Sequence, residues 1–361
     1  MDKREEIIYS TYKKQLRAFE FLGTTIEKIN YDVPDILTEK MERWERIYLM
    51  GVKNSSGIDE RAVKKLSQAN FIFNTLDKMS DGGRAIDVNL RNPVSGGIMT
   101  GSSSAGAVNV LYGINDIALA TDGGGSVLGP AFSLNLFSCL LKGLGYQSQS
   151  KKKSTDGIEF CAGTGLISYD YGIMKEAVKV LTGEFDSDTG KITVAVPCNL
   201  ISPDGKSHME LLSGVLDGIE NLKIVEYEFP DFMNRENSIK AMKEIFADAD
   251  VAACAEGPID TLGIGDSVYG SFSDTKASLA RSGKNLLRIA NMLNCSAIGI
   301  PCDVFSKGIL LCGPSGKTVF SKLITLADHV AYKFMQSNLV HEYFHRSFLR
   351  RHNEYTFKDG D

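Results

Sequence analysis

Two serine-bearing, glycine-dense turns stand out in this 361-residue chain, Gly101-Ser102-Ser103-Ser104 and Asp122-Gly123-Gly124-Gly125-Ser126, with Ser102 and Ser126 24 positions apart. A serine that closes three consecutive glycines suggests more than a bend. Backbone free of side-chain bulk can approach a ligand closely and aim several N–H groups at one point. Beside a nucleophilic hydroxyl, such groups make an oxyanion hole for acyl transfer. The hydroxyl is a poor nucleophile on its own and needs a base to take its proton during attack. A lysine can be that base only when neutral, which requires burial or neighbouring positive potential.

The elements around these turns must hold them together. Apolar residues recur with helical spacing in residues 36–50, 59–68 and 174–181, which predicts helices there. Short apolar runs predict strands at Phe71–Phe73, Ile117–Ala120, Ile192–Val196, Ile224–Tyr227, Val251–Cys254, Ala297–Ile300 and Gly308–Cys312. Strands separated by helices argue for an α/β sheet covered on both faces. Neither an internal repeat nor a low-complexity linker interrupts the pattern, so residues 1–340 read as one domain. Residues 341–361 read as a basic tail in which a helix ends and frays.

The turns resemble the amidase signature family, whose serine hydrolases use a Ser-cis-Ser-Lys triad. Gly101-Ser102-Ser103-Ser104-Ala105-Gly106-Ala107 is similar to its glycine/serine motif, and Asp122 to Ala131 to its nucleophile motif. Arg91-Asn92-Pro93, the segment from Gly165 to Leu181, and the late runs Ile298–Cys302 and Leu311–Pro314 resemble further family elements. The resemblance implies a mixed central sheet wrapped by helices. It also implies an amide hydrolase working through a covalent acyl-serine on a small linear carboxamide, without metal or organic cofactor. In that reading Ser126 is the nucleophile and Ser102 the relay, with a cis peptide bond before it. Gly123, Gly124, Gly125 and Ser126 give the oxyanion hole, with Ser103 and Asp122 in support.

For the base the resemblance points to Lys28, 74 positions before Ser102, with Lys53 in Gly51-Val52-Lys53-Asn54 as the competitor. The chain departs from the family at Leu128, where an arginine is usual, and at Ser104 and Ala105, where glycines are usual. Residues 197–250 form a shorter cover over the site. These departures keep a second reading open, a catalytically impaired scaffold or partner subunit.

Other signals point elsewhere. His341-Glu342-Tyr343-Phe344-His345 has the spacing of a zinc-peptidase helix, but Arg346 follows directly and the usual third-ligand extension is missing. Gly313-Pro314-Ser315-Gly316-Lys317-Thr318 is close to a phosphate loop, with Leu311 standing where the first glycine belongs. His208 and His329 are isolated, and Trp44 reads as core. A net charge of −5 argues against nucleic acid or an anionic membrane surface as partner, and a homodimer or partner subunit stays possible. Seven scattered cysteines without C-x-x-C pairs fit reduced thiols in a cytoplasm, the expected location.

Overall fold

The computed structural model describes residues 2–154, 156–186, 189–265, 275–335 and Tyr343. Its strands are β1 (Ile26–Ile29), β2 (Tyr48–Lys53), β3 (Phe71–Asp77), β4 (Ile86–Arg91), β5 (Ile98–Thr100), β6 (Ile117–Asp122) and β7 (Phe137–Leu140). They continue as β8 (Gln147–Lys153), β9 (Glu159–Ser168), β10 (Ile192–Pro197), β11 (Leu222–Tyr227), β12 (Val251–Glu256), β13 (Ser296–Pro301) and β14 (Gly308–Gly313). Among the described residues, twelve of them form one sheet ordered β1-β3-β2-β6-β9-β7-β13-β14-β12-β10-β11, with β8 paired to β9. β4 and β5 form a separate hairpin. The sheet is mixed: β2 runs parallel to β3 and β6, whereas β9 is antiparallel to β6 and β7.

Strands β6, β12, β13 and β14 are buried at every residue, which explains their unbroken apolar runs. Side chains still alternate between the faces. Ile117 and Leu119 of β6 join a core cluster with Leu66, Ala177, Val178, Leu212 and Phe320. These come from helices α3 (Glu60–Gln68), α6 (Tyr171–Thr182), α7 (His208–Leu216) and α10 (Lys317–Met335), which cover that face. Ala118 and Ala120 face the other way, against α4 (Ser104–Leu111) and α5 (Leu128–Ser133). α8 (Arg235–Asp248) also covers this second face, packing Met242 and Ile245 against Ala252 and Cys254 of β12. Helices thus lie on both sides of a mixed sheet, as the sequence pattern implies.

One element differs from expectation. The helical pattern of residues 36–50 is split, a helix at Val33–Lys40 giving way to strand β2 from Tyr48. Leu49 to Lys53 are buried in succession on β2, and continuous burial produces apolar runs that helical periodicity can mimic.

A buried polar chain ties the N-terminal helix (Lys3–Glu20) to β3 and α4. Gln15 donates to Asn74, Asn74 to Asn115, Asn115 to Thr75, and Thr75 to Asp77 Oδ1, which also accepts from Asn109. Asp77 Oδ2 is buried without a hydrogen-bond partner among the described residues, and burial pushes this carboxyl up to about 7. The unfolded chain ionises it near the usual 3.8. Between those values the unfolded state loses a proton that the folded state keeps, so stability falls as pH rises, by about 1.4 kcal/mol per pH unit. We expect wild-type stability in urea to drop from pH 5 to pH 7 by more than that of Asp77→Asn. Parallel pH dependence of the two proteins would contradict it.

Candidate active site

The site lies where the parallel strands β2 and β6 end beside the start of α4. Lys53 is the last residue of β2, and Asp122 the last of β6. Both are buried. Lys53 Nζ donates to Ser102 Oγ at 2.8 Å and to Ser103 Oγ at 3.1 Å, and lies 3.4 Å from the Thr121 carbonyl oxygen. Among the described residues no carboxylate is within ion-pair distance of this amine. Burial lowers its pKa from the usual 10.5 to about 7, against the pull of Asp122.

This geometry corrects the expectation for Lys28. That residue sits on the edge strand β1, where Ile26 and Ile29 are buried while Glu27 and Lys28, at an irregularity in the pairing with β3, are exposed. Lys53 takes the place beside Ser102. The spacing argument misled because the stretch between lysine and serine is short in this chain, 49 positions from Lys53 to Ser102. The usable signal was a strand-like run ending in a lysine, hidden by the helical reading of residues 36–50.

A second expectation changes as well. The bond before Ser102 is trans, the cis peptide among the described residues being Gly257–Pro258. Ser102 instead depends on close backbone packing. Gly101 has φ +76°, and a Cβ there would lie 2.3 Å from Pro130 Cγ. Its N–H donates to Ala85 O at 2.7 Å. Asn92, in the Arg-Asn-Pro stretch, donates to Ser133 O at 3.0 Å and so clasps the end of α5 against this loop.

Asp122 shapes the glycine turn from below. Its Oδ1 accepts from Gly125 N at 2.7 Å, and its Oδ2 from Val127 N at 2.7 Å and Leu128 N at 3.4 Å. Burial pushes this carboxyl up, while the three N–H groups and Lys53 oppose that shift. Gly125 has φ +96°, with its missing Cβ 2.3 Å from Leu287 Cδ1. The Gly125 N–H is therefore committed to Asp122, which removes it from the four expected oxyanion donors. Those of Gly123, Gly124 and Ser126 donate to nothing among the described residues. Asn291 Nδ2 donates to Gly123 O at 3.0 Å. In a trans peptide that fixes the Gly124 N–H on the opposite side.

Ser126 is half-buried and makes no side-chain hydrogen bond among the described residues. It lines two adjoining cavities of about 50 and 290 Å³. Arg235, Lys284 and Arg288 enter the smaller one, residues with no sequence signal because they lie more than a hundred positions from the turn. The departures from the family pattern have local explanations. Ser104 donates to Asp87 Oδ2 at 2.6 Å, and Leu128 is fully buried in the cluster of Phe132, Leu286 and Leu287. His341, Glu342 and His345 of the zinc-like string lie outside the described residues. No cluster of three metal-ligating side chains occurs among those described. No described helix is long and apolar enough to cross a membrane.

No protein-family model and no curated protein matches the chain. Solved structures do. A crystal structure titled an amidase is 14% identical, with a TM-score of 0.59 over 92% of this chain and 96% of that one. A 6-aminohexanoate cyclic dimer hydrolase complexed with substrate is 12% identical, with a TM-score of 0.65 over 92% and 94%. A glutamyl-tRNA(Gln) amidotransferase subunit from Thermotoga maritima is 14% identical, with a TM-score of 0.61 over 91% of each chain. The chain has the amidase signature fold. At these identities the likeness speaks for the fold, and the chemistry of this amidase-like chain has to be argued from its own side chains.

Proposed function

We propose that this chain hydrolyses carboxamides through an acyl-enzyme on Ser126, with Ser102 relaying protons to the neutral amine of Lys53. The observation that carries the reading is the buried 2.8 Å contact between Lys53 Nζ and Ser102 Oγ, with no carboxylate within ion-pair distance of the amine among the described residues. As Ser126 Oγ attacks the amide carbon, its proton passes to Ser102 and that of Ser102 to Lys53. The carbonyl oxygen becomes an oxyanion facing the N–H groups of Gly123, Gly124 and Ser126, each such donor contributing about 3–4 kcal/mol to acyl transfer elsewhere. Collapse breaks the C–N bond, and the proton on Lys53 returns through Ser102 to the leaving nitrogen. Water then repeats the cycle on the acyl-serine. The open hydroxyl of Ser126 is in keeping with this, because catalytic hydrogen bonds often close only when substrate seats. The likeness to amidase and hydrolase structures agrees with this reading.

A fluorophosphonate probe tests it directly. The wild-type chain is expected to take up one phosphonyl group, mapped by mass spectrometry to Ser126 and missing from Ser126→Ala. An unmodified chain, or an adduct on a different serine, would refute the proposal and leave a scaffold or partner role.

A further inference from the structure

The surroundings of Ser126 carry one sign of charge. Arg235, Lys284 and Arg288 line the smaller cavity, and Arg84, Lys152, Lys153 and again Arg235 line the larger one. Among the described residues no aspartate or glutamate lines either cavity, although the whole chain has net charge −5. Two of these cations have protein partners behind them, since Arg235 pairs with Asp156 and Lys284 with Asp260. Arg288 differs. It donates to the Phe232 carbonyl at 2.6 Å and has no carboxylate within ion-pair distance among the described residues. Burial and neighbouring Arg235 lower its pKa to about 10, against the pull of Asp156, Asp231 and Glu256. A guanidinium in that position makes no direct ion pair among the described residues, and its planar fork suits a carboxylate.

We propose that Arg288, with Arg235 and Lys284, forms an anion subsite that selects amides carrying a carboxylate a few bonds from the scissile carbonyl. The proposal rests on the hydrolase reading above and narrows its substrate class. Cavity size sets the reach. At about 50 Å³ the smaller cavity is the tighter of the two, which favours a compact anionic group beside the glycine turn. The half-amide of a short dicarboxylic acid meets both conditions, with its neutral diamide as the isosteric control. A site whose buried cation is left unpaired by the wrong ligand discriminates strongly against it.

Binding to full-length Ser126→Ala protein, which cannot acylate, tests the subsite by calorimetry. Succinamate is expected to bind at least tenfold more tightly than succinamide. Adding Arg288→Met should reduce that ratio to below twofold, and Arg288→Lys should restore part of it. Arg235→Met, at the start of α8, should also lower it. Equal or undetectable binding of the two amides would overturn the proposal, as would a preference that survives in Arg288→Met. The two readings fail separately. Probe labelling of Ser126 without a carboxylate preference removes the anion subsite and keeps the hydrolase. Arginine-dependent succinamate binding in a chain that never labels keeps the subsite and removes the hydrolase.

Discussion

Lys53→Met is expected to lower acylation of Ser126 by about 10²- to 10⁴-fold, the usual contribution of a positioned general base, and at the same time to raise the melting temperature. Both effects come from one buried amine. Methionine keeps most of the volume of the lysine stem but neither accepts a proton nor needs hydration. In the wild-type protein the amine is neutral above about pH 7, so kcat/KM should climb about tenfold per pH unit below that value and level off above it. In the unfolded chain the amine keeps its proton up to about 10.5, whereas in the folded chain it loses it near 7. Between those values the unfolded state binds more protons, so wild-type stability rises with pH, by about 1.4 kcal/mol per unit. Conversely, it is lost as pH falls from about 10.5 to about 7, and this contribution is flat below that. The advantage of Lys53→Met should therefore be largest near neutrality and shrink toward pH 10. Stopped-flow labelling and thermal melts at pH 7 and pH 10 check the pair. A variant that acylates at the wild-type rate would strip Lys53 of the role.

Asp122→Asn is expected to cost about 3–5 kcal/mol of stability and to abolish turnover, although it changes a single atom. Both carboxylate oxygens accept backbone N–H groups, Oδ1 from Gly125 and Oδ2 from Val127 and Leu128. Asparagine offers one acceptor oxygen, and its NH₂ would then face a backbone donor on the other side. Removing one partner of a buried charged hydrogen-bond set leaves the others unsatisfied, the expensive kind of loss. The turn would have to shift, moving the N–H groups of Gly124 and Ser126 away from a common point. Urea denaturation and probe labelling measure the two halves. A variant within 1 kcal/mol of wild type that still labels would show that the turn does not depend on this carboxylate.

Much of the site was legible in the chain because its chemistry is local. The serines, the three glycines and Asp122 sit in two short stretches, and a positive φ at Gly101 and Gly125 is what glycine in such turns supplies. Seven of the fourteen strands were equally readable, among them β6, β12, β13 and β14, which are buried throughout and leave apolar runs. What escaped was everything that depends on where the chain returns. Lys53 is brought to Ser102 by the pairing of β2 with β6, which no local pattern encodes. Lys28 had a plausible spacing but lies exposed on an edge strand. Arg235, Lys284, Arg288 and Asn291 arrive from far along the chain, and each looks locally like an ordinary polar residue. The commitment of the Gly125 N–H to Asp122 could not be read either, because glycine counts say nothing about which donors stay unspent.

The amine and the carboxylate that shapes the turn both end adjacent parallel strands in the interior of the twelve-stranded sheet. The arginines and lysine proposed to meet the substrate come instead from residues 235–288, the start of a covering helix and the segment after β12. Reactivity and preference are thus written in separate stretches of polypeptide. Exchanging the later stretch could redirect what is accepted while the interior frame keeps its protonation balance, so relatives of this chain could diversify their diets without reinventing the reaction.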